Sequence, residues 1–133
     1  MTPYQLLFLY RGLVDHADRN VQTLKAEQAA HLNCRRGCSA CCRDGFRVRA
    51  IEAFWLLGGV RHQGRMPGDL VAKAEPGRCP LLDAEGACTA YADRPILCRA
   101  YGVLVQVEDV TATCELNFSG VTGLDGMAAL NLN

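Results

Sequence analysis

No stretch of this 133-residue sequence approaches the roughly 18 uninterrupted apolar residues that a membrane-spanning helix needs. The opening MTPYQLLFLYRGLVDH has an apolar run of only five residues, no basic residue before Arg11 and no small-residue cleavage site. The expectation is therefore a cytoplasmic chain with no signal peptide and no membrane attachment. Net charge is also absent, since 14 Lys and Arg balance 14 Asp and Glu, and aromatic residues make up only 7%. A nucleic-acid surface, which needs a basic field and often stacking rings, is not expected from such a chain. There is no internal repeat, no low-complexity tract, and no glycine-rich turn placed after a strand to cradle a nucleotide. With 50% hydrophobic and 21% charged residues, the remaining profile is that of a globular protein. One domain spanning 1–133 can bury about two-thirds of its unfolded surface without cross-links.

What the sequence does have is cysteine. Eight are present, and CRRGCSACC places Cys34, Cys38, Cys41 and Cys42 within nine residues. In a secreted chain eight thiols would suggest four disulfides, but in a reducing compartment they point to metal binding or redox chemistry. Adjacent cysteines rarely bridge each other, because a disulfide has a torsion and reach that neighbours meet only with strain. Isolated buried cysteines act as small hydrophobes, yet four in nine residues beside Arg35, Arg36 and Arg43 suit a core poorly. Thiolates favour soft or borderline metals, either four sulfurs around zinc or one sulfur to each iron of a cluster. Gly37 supplies the unusual backbone angles that a tight ligand-bearing turn uses. Side chains of consecutive residues diverge, so Cys41 and Cys42 are expected to hold different jobs. One would join Cys34 and Cys38. The other would join sulfurs delivered from later in the chain, at a second metal or on another edge of a single cluster.

The expected fold is α+β: a small single domain with a long N-terminal helix, a second helix and a short β-hairpin around a cysteine-rich core. Thr2-Pro3-Tyr4-Gln5 matches a capping box with proline at the first helical position. Leu6, Leu9, Leu13, Ala17, Val21 and Leu24 then recur at helical spacing, predicting a helix over 3–30 with those residues inside. The segment 1–33 thus precedes a cysteine core at 34–114. A second helix is expected over RVRAIEAFWLLGG, with Val48, Ile51, Phe54 and Trp55 as its apolar face and Gly58-Gly59 as its stop. RHQGRMPGD reads as a polar loop. RCPLLDAEGACTAY reads as a hairpin around Asp83-Ala84-Glu85-Gly86, which brings Cys79 and Cys88 together. ADRPILCRAY is a turn or short helix presenting Cys98, VLVQV is a strand, and Cys114 follows it. DGMAALNLN predicts a weak helix.

These words resemble the CxxCxxCC-type cysteine-cluster proteins, YkgJ-like, a family described as zinc- or iron-chelating. The resemblance covers Cys34, Cys38, Cys41 and Cys42, then CPLLDAEGACTAY with Cys79 and Cys88, then RPILCRAYG with Cys98, and more loosely Cys114. This chain has three residues rather than two between Cys34 and Cys38. The resemblance implies a metal centre of zinc or iron-sulfur type with these eight cysteines as ligands. A similar cysteine pattern occurs in flagellin lysine methylases, which use an iron-sulfur cluster, but methylation is not carried over to a short chain that lacks the nucleotide-binding turn.

Charge is polarised along the sequence. Between Cys34 and Arg65, seven arginines face only Asp44 and Glu52, whereas 100–133 has no Lys or Arg but has Glu108, Asp109, Glu115 and Asp125. Arginines beside the cysteines would neutralise anionic metal-thiolate groups. His31, three residues before Cys34, is a further candidate ligand. His16 and His62 read as surface residues. Asp93 and Arg94 are expected to organise the turn before Cys98, with Tyr91 and Tyr101 packing nearby. Three function classes follow: a metal-binding module for redox, sensing or metal handling; an enzyme with a metal-activated or low-pKa cysteine; and an interaction protein with a structural metal and the front helix as its docking surface. The implied partners are metal ions and, through that helix, a protein.

Overall fold

The computed structural model describes residues 1–35, 37–43 and 45–133, so Arg36 and Asp44, counted above among the charges near the cysteines, lie outside the described residues. The architecture is α+β, with four α-helices and a three-stranded sheet among the described residues. Helix α1, Pro3–Glu27, begins as its sequence dictates. Thr2 Oγ1 accepts the Gln5 N–H and the Gln5 side chain accepts the Thr2 N–H, which satisfies two of the donors a helix start leaves free. The helix ends before the expected Ala30. Gln28 turns inward, donating from Nε2 to the Ala128 carbonyl at 2.7 Å and accepting the Leu104 N–H at 3.2 Å, and a short 3-10 turn covers Ala29–His31.

The buried row of α1 is Tyr10, Val14, Ala17, Val21 and Leu24. The expected face was therefore correct from Ala17 onward and wrong before it, since Leu6, Leu9 and Leu13 are 46%, 56% and 54% exposed. Both rows repeat at helical spacing. The tie is broken by Tyr10, whose ring meets Trp55 edge-on at 5.7 Å and turns its own row toward the second helix.

Helix α2, Ala50–His62, does not stop at Gly58-Gly59 but runs through them. At Gly59 a Cβ would lie 2.1 Å from Asp93 Oδ2, so glycine is used there for close approach of another segment and not for termination. Its inward positions include Glu52 and Val60, with Trp55 half-buried, while Val48 and Phe54 of the expected face are exposed. A short helix α3, Pro67–Ala72, starts inside the expected polar loop, with Pro67 in its first turn. Helix α4, Ile96–Ala100, follows a 3-10 turn at Tyr91–Asp93.

Strand β1, Val105–Val107, pairs antiparallel with β2, Val110–Ala112, with Val105 opposite Ala112. Where a weak helix was expected, the tail forms a 3-10 turn at Leu124–Gly126 and then β3, Leu130–Asn131, parallel to β1 with Val105 opposite Leu130. The strand order is β2-β1-β3. Val103, Leu104 and Val105 are almost wholly buried, each contributing roughly 1.5–3 kcal/mol by leaving water. One apolar cluster joins Val21 and Leu24 to Ala100, Val103 and Val105; a second joins Val60, Leu81 and Ala90, with Cys79 and Cys88 packed against it. Helix α1 packs on α4, α2 and β3. Among the described residues no helix is long and apolar enough to cross a membrane.

Candidate metal centre

Cys38, Cys41 and Cys42 stand on two successive turns that follow Cys34. The Cys38 N–H donates to the Arg35 carbonyl at 3.0 Å, with Gly37 at φ +84°, and the Cys42 N–H donates to the Ser39 carbonyl at 3.0 Å at the 3-10 turn Ala40–Arg43. The left-handed backbone at Gly37 suits the turn that closes at Cys38. Cys79 is fastened directly to this segment, because its N–H donates to the Cys42 carbonyl at 3.1 Å. The expected hairpin is present as a tight reversal with a single antiparallel bridge, Leu82 to Cys88, in place of two full strands. Asp83 holds its tip by accepting the N–H groups of Glu85 and Ala87 on Oδ1.

Cys98 sits in α4, and buried charge fixes that helix. Arg99 Nη1 meets Asp18 Oδ2 of α1 at 2.9 Å, its Nε donates to the Arg94 carbonyl at 2.6 Å, and its Nη2 donates to the Ala92 carbonyl. Glu52 of α2 accepts the Ile96 N–H at 3.0 Å and the Arg49 N–H at 2.8 Å. As expected, Arg94 organises the turn: its guanidinium lies 3.5 Å above the Tyr91 ring and donates to the Tyr91 and Cys98 carbonyls. Tyr101 packs on Phe46 and donates to the Thr113 carbonyl. Cys114, buried, follows β2. His31 is half-buried with its ring stacked on Phe118 at 5.3 Å. His16 pairs with Asn20.

All eight cysteines are free thiols. The charges each sulfur feels sort them. Burial pushes Cys42 up to about 12, and the neighbouring Cys41, Cys79 and Cys88 sulfurs add to the rise. Cys98 is raised to about 11 by burial, then by Cys79, with Cys41 and Cys88 adding less and Arg94 opposing. Burial also raises Cys88; the Ala90 N–H pointing at its sulfur opposes this, Cys79 adds to it, and Arg94 and Arg65 counter it. Cys41 is raised by burial, lowered by a hydrogen bond from Cys42, and raised again by Cys114 and Cys38. Cys114 is raised by burial, lowered by the Leu116 N–H, and raised by Cys34 and Cys38. Cys79 acts on Cys42, Cys88 and Cys98, and Cys38 acts on Cys41 and Cys114; the two neighbourhoods overlap, since the Cys41 and Cys42 sulfurs share a hydrogen bond and Cys41 also acts on Cys98.

Among the described residues, no three His, Cys, Asp or Glu side chains converge closely enough to hold a metal ion as they stand. Thiolates brought together without a cation repel, which adds to the rise that burial causes in these thiols, and a cation removes that repulsion. The donor chemistry suits a thiophilic metal, since N–H groups directed at sulfur stabilise the thiolate form that a metal takes.

The family model for cysteine-cluster chelating proteins matches residues 33–115, which contain all eight cysteines. The chain belongs to the CxxCxxCC family. That family is described as a "Putative zinc- or iron-chelating domain". No curated protein and no solved structure matches the chain. The CxxCxxCC match ends before Asn117, a residue that sequence reasoning missed although its side chain contacts Cys34. Arg99, Glu52 and Gln28 were missed as well. An isolated charged or amide residue carries no spacing signal, and only the fold shows what it touches.

Of two surface clefts beside the cysteine-bearing segments, one of about 530 Å³ includes Arg65, Lys73 and Leu82 in its walls, and one of about 280 Å³ includes Ser39, Arg43, Arg78 and Gly86. Neither is lined by a cysteine of this CxxCxxCC chain.

Proposed function

We propose that this CxxCxxCC chain is a cytoplasmic metal-thiolate protein with two four-sulfur sets, Cys34, Cys38, Cys41 and Cys114 in one and Cys42, Cys79, Cys88 and Cys98 in the other. Residues 34–114 form the metal core and the helix of 1–33 buttresses it. The observation that carries this reading is the fastening of the Cys79 backbone to the Cys42 carbonyl, with Cys79 acting on the Cys42, Cys88 and Cys98 sulfurs and Cys38 on those of Cys41 and Cys114; the two sets touch, since Cys41 bonds to Cys42 and also acts on Cys98. Four thiolates match zinc or an iron-sulfur cluster. Bound zinc would organise the fold or be handled as cargo, and a bound cluster would supply one-electron redox chemistry or sensing. The chain's own contribution is to hold sulfurs on turns, aim the Ala90 and Leu116 N–H groups at Cys88 and Cys114, and offset negative charge with Arg94 and Arg65.

Single Cys41→Ser and Cys42→Ser variants, purified without oxygen, test the division. The two variants are expected to differ in metal content or optical spectrum. Equal loss of the same metal with indistinguishable spectra would favour one cooperative centre.

A second reading, an interaction protein with a structural metal, is supported by the exposed N-terminal half of α1. Tyr4 and Phe8 are 85% and 79% exposed there, beside the outward Leu9 and Leu13. Under that reading a Leu9→Glu, Leu13→Glu variant loses a binding partner while metal content stays unchanged.

A further inference from the structure

The geometry points to Asn117 as the residue that positions Cys34 for metal binding. This inference rests on the metal-thiolate reading above. Asn117 is 4% exposed and lies outside the segment that the family match covers. Its carboxamide is fully used. Oδ1 accepts the Asn33 N–H at 2.7 Å, while Nδ2 donates to the Gly102 carbonyl at 2.8 Å and to Cys34 Sγ at 3.2 Å. The partners fix which way the amide points: the Asn33 N–H can be met only by the oxygen, so both N–H bonds must face the Gly102 carbonyl and the sulfur.

The same residue reaches the other end of its set. The Asn117 N–H donates to the Cys114 carbonyl at 2.9 Å, and the Asn33 side chain donates to the Leu116 carbonyl. Residues 33–34 and 114–117 are thereby clamped together, although 80 positions separate Cys34 from Cys114. Gly102 completes the cradle. A Cβ on it would come within 2.9 Å of Cys34 Sγ, and its φ of +125° is one that side-chain-bearing residues avoid. With the Gly102 backbone on one side and the Asn117 N–H on the other, the Cys34 sulfur is held in one orientation.

The test titrates zinc into metal-free wild type, Asn117→Asp and Asn117→Ser in competition with a chromophoric chelator, and records spectra after cobalt loading. Asn117→Asp replaces both N–H donors with a carboxylate facing the sulfur; Asn117→Ser removes the carboxamide without adding charge and carries the test should the carboxylate prevent folding. Affinity is expected to fall about 10–100-fold at one set of sites, as loss of a hydrogen bond to a ligand commonly causes. Metal bound at saturation and sulfur-to-cobalt charge-transfer intensity stay at wild-type levels, because every sulfur remains a ligand. In a Cys34→Ser background the effect of Asn117→Asp shrinks to about threefold or less, since the bond it acts through is gone. Wild-type affinity in both folded variants, or an equal loss with and without Cys34, overturns the inference and leaves the metal reading standing. Wild-type protein that takes up no metal overturns the metal reading, and the inference with it.

Discussion

Replacing Arg99 by leucine tests how Cys98 is held in place. The Arg99 side chain is 8% exposed, and it joins α1 to the segment before α4 through Asp18 and the carbonyls of Arg94 and Ala92. Leucine fills part of the volume but removes this donor from both carbonyls; Ala92 is exposed and Arg94 half-buried, so water partly replaces it and each lost bond costs about 1–1.5 kcal/mol. The Asp18 partner is 40% exposed, so its loss adds no more than about 1 kcal/mol after solvent screening. Allowing for some water entry, the expected loss is about 2–4 kcal/mol, or about 8–15 °C in Tm for a chain of this size. Urea unfolding of the reduced, metal-free protein measures it without metal linkage. Asp18→Asn should cost about 1 kcal/mol or less, because the carbonyl bonds survive. Stability within about 0.5 kcal/mol of wild type for Arg99→Leu, or equal losses for the two variants, would refute the reasoning.

The two rows of α1 separate in one comparison: Val21→Asp, at a site 4% exposed, should cost about 3 kcal/mol or more in urea unfolding, while Leu13→Asp, at a site 54% exposed, should stay within about 0.5 kcal/mol. The glycine pair of α2 should split in sign, because a Cβ at Gly58 meets nothing within 4 Å and one at Gly59 meets the Asp93 side chain. Gly58→Ala should stabilise by about 0.5–1 kcal/mol and Gly59→Ala should destabilise, and a shared sign in thermal melts would show that Asp93 does not constrain the helix. Tyr10 Oη is buried without a hydrogen-bond partner among the described residues, and its phenol is raised from 10.0 to about 12 by burial first and then by Glu52. The folded state therefore holds this proton more tightly than the unfolded chain, so the contribution is full below pH 10 and is lost as pH rises toward 12. Tyr10→Phe should be as stable as wild type or more so at pH 7 and should lose the last-titrating tyrosinate absorbance. A large loss of stability at pH 7 would mean that the hydroxyl has a partner.

Features set by neighbours in sequence were legible from sequence, and those set by distant segments were not. The start of α1 is written in Thr2, Pro3 and Gln5, all within one turn. Its end is decided by Gln28 reaching Leu104 and Ala128, so no local signal marks it. Gly58-Gly59 reads as a stop until Asp93 is seen packed on Gly59. The tail misled for the same reason, because Leu130 and Asn131 form a strand only by pairing with β1. The cysteines were legible because their spacing is a dense local signal, whereas the hydrogen bond that brings the adjacent Cys41 and Cys42 sulfurs together has no such signal. Asn117 was not, since nothing near it in sequence marks it as a partner of Cys34.

The most direct measurement is the metal content of protein purified and kept without oxygen, read together with its colour and with unfolding before and after chelation under reducing conditions. The account expects metal bound mainly by cysteine, brown and bleached by air for iron-sulfur or colourless with stoichiometric zinc, and a lower melting temperature once it is stripped, because site formation and folding are coupled. Metal-free protein of undiminished stability, with eight titratable thiols, would contradict it.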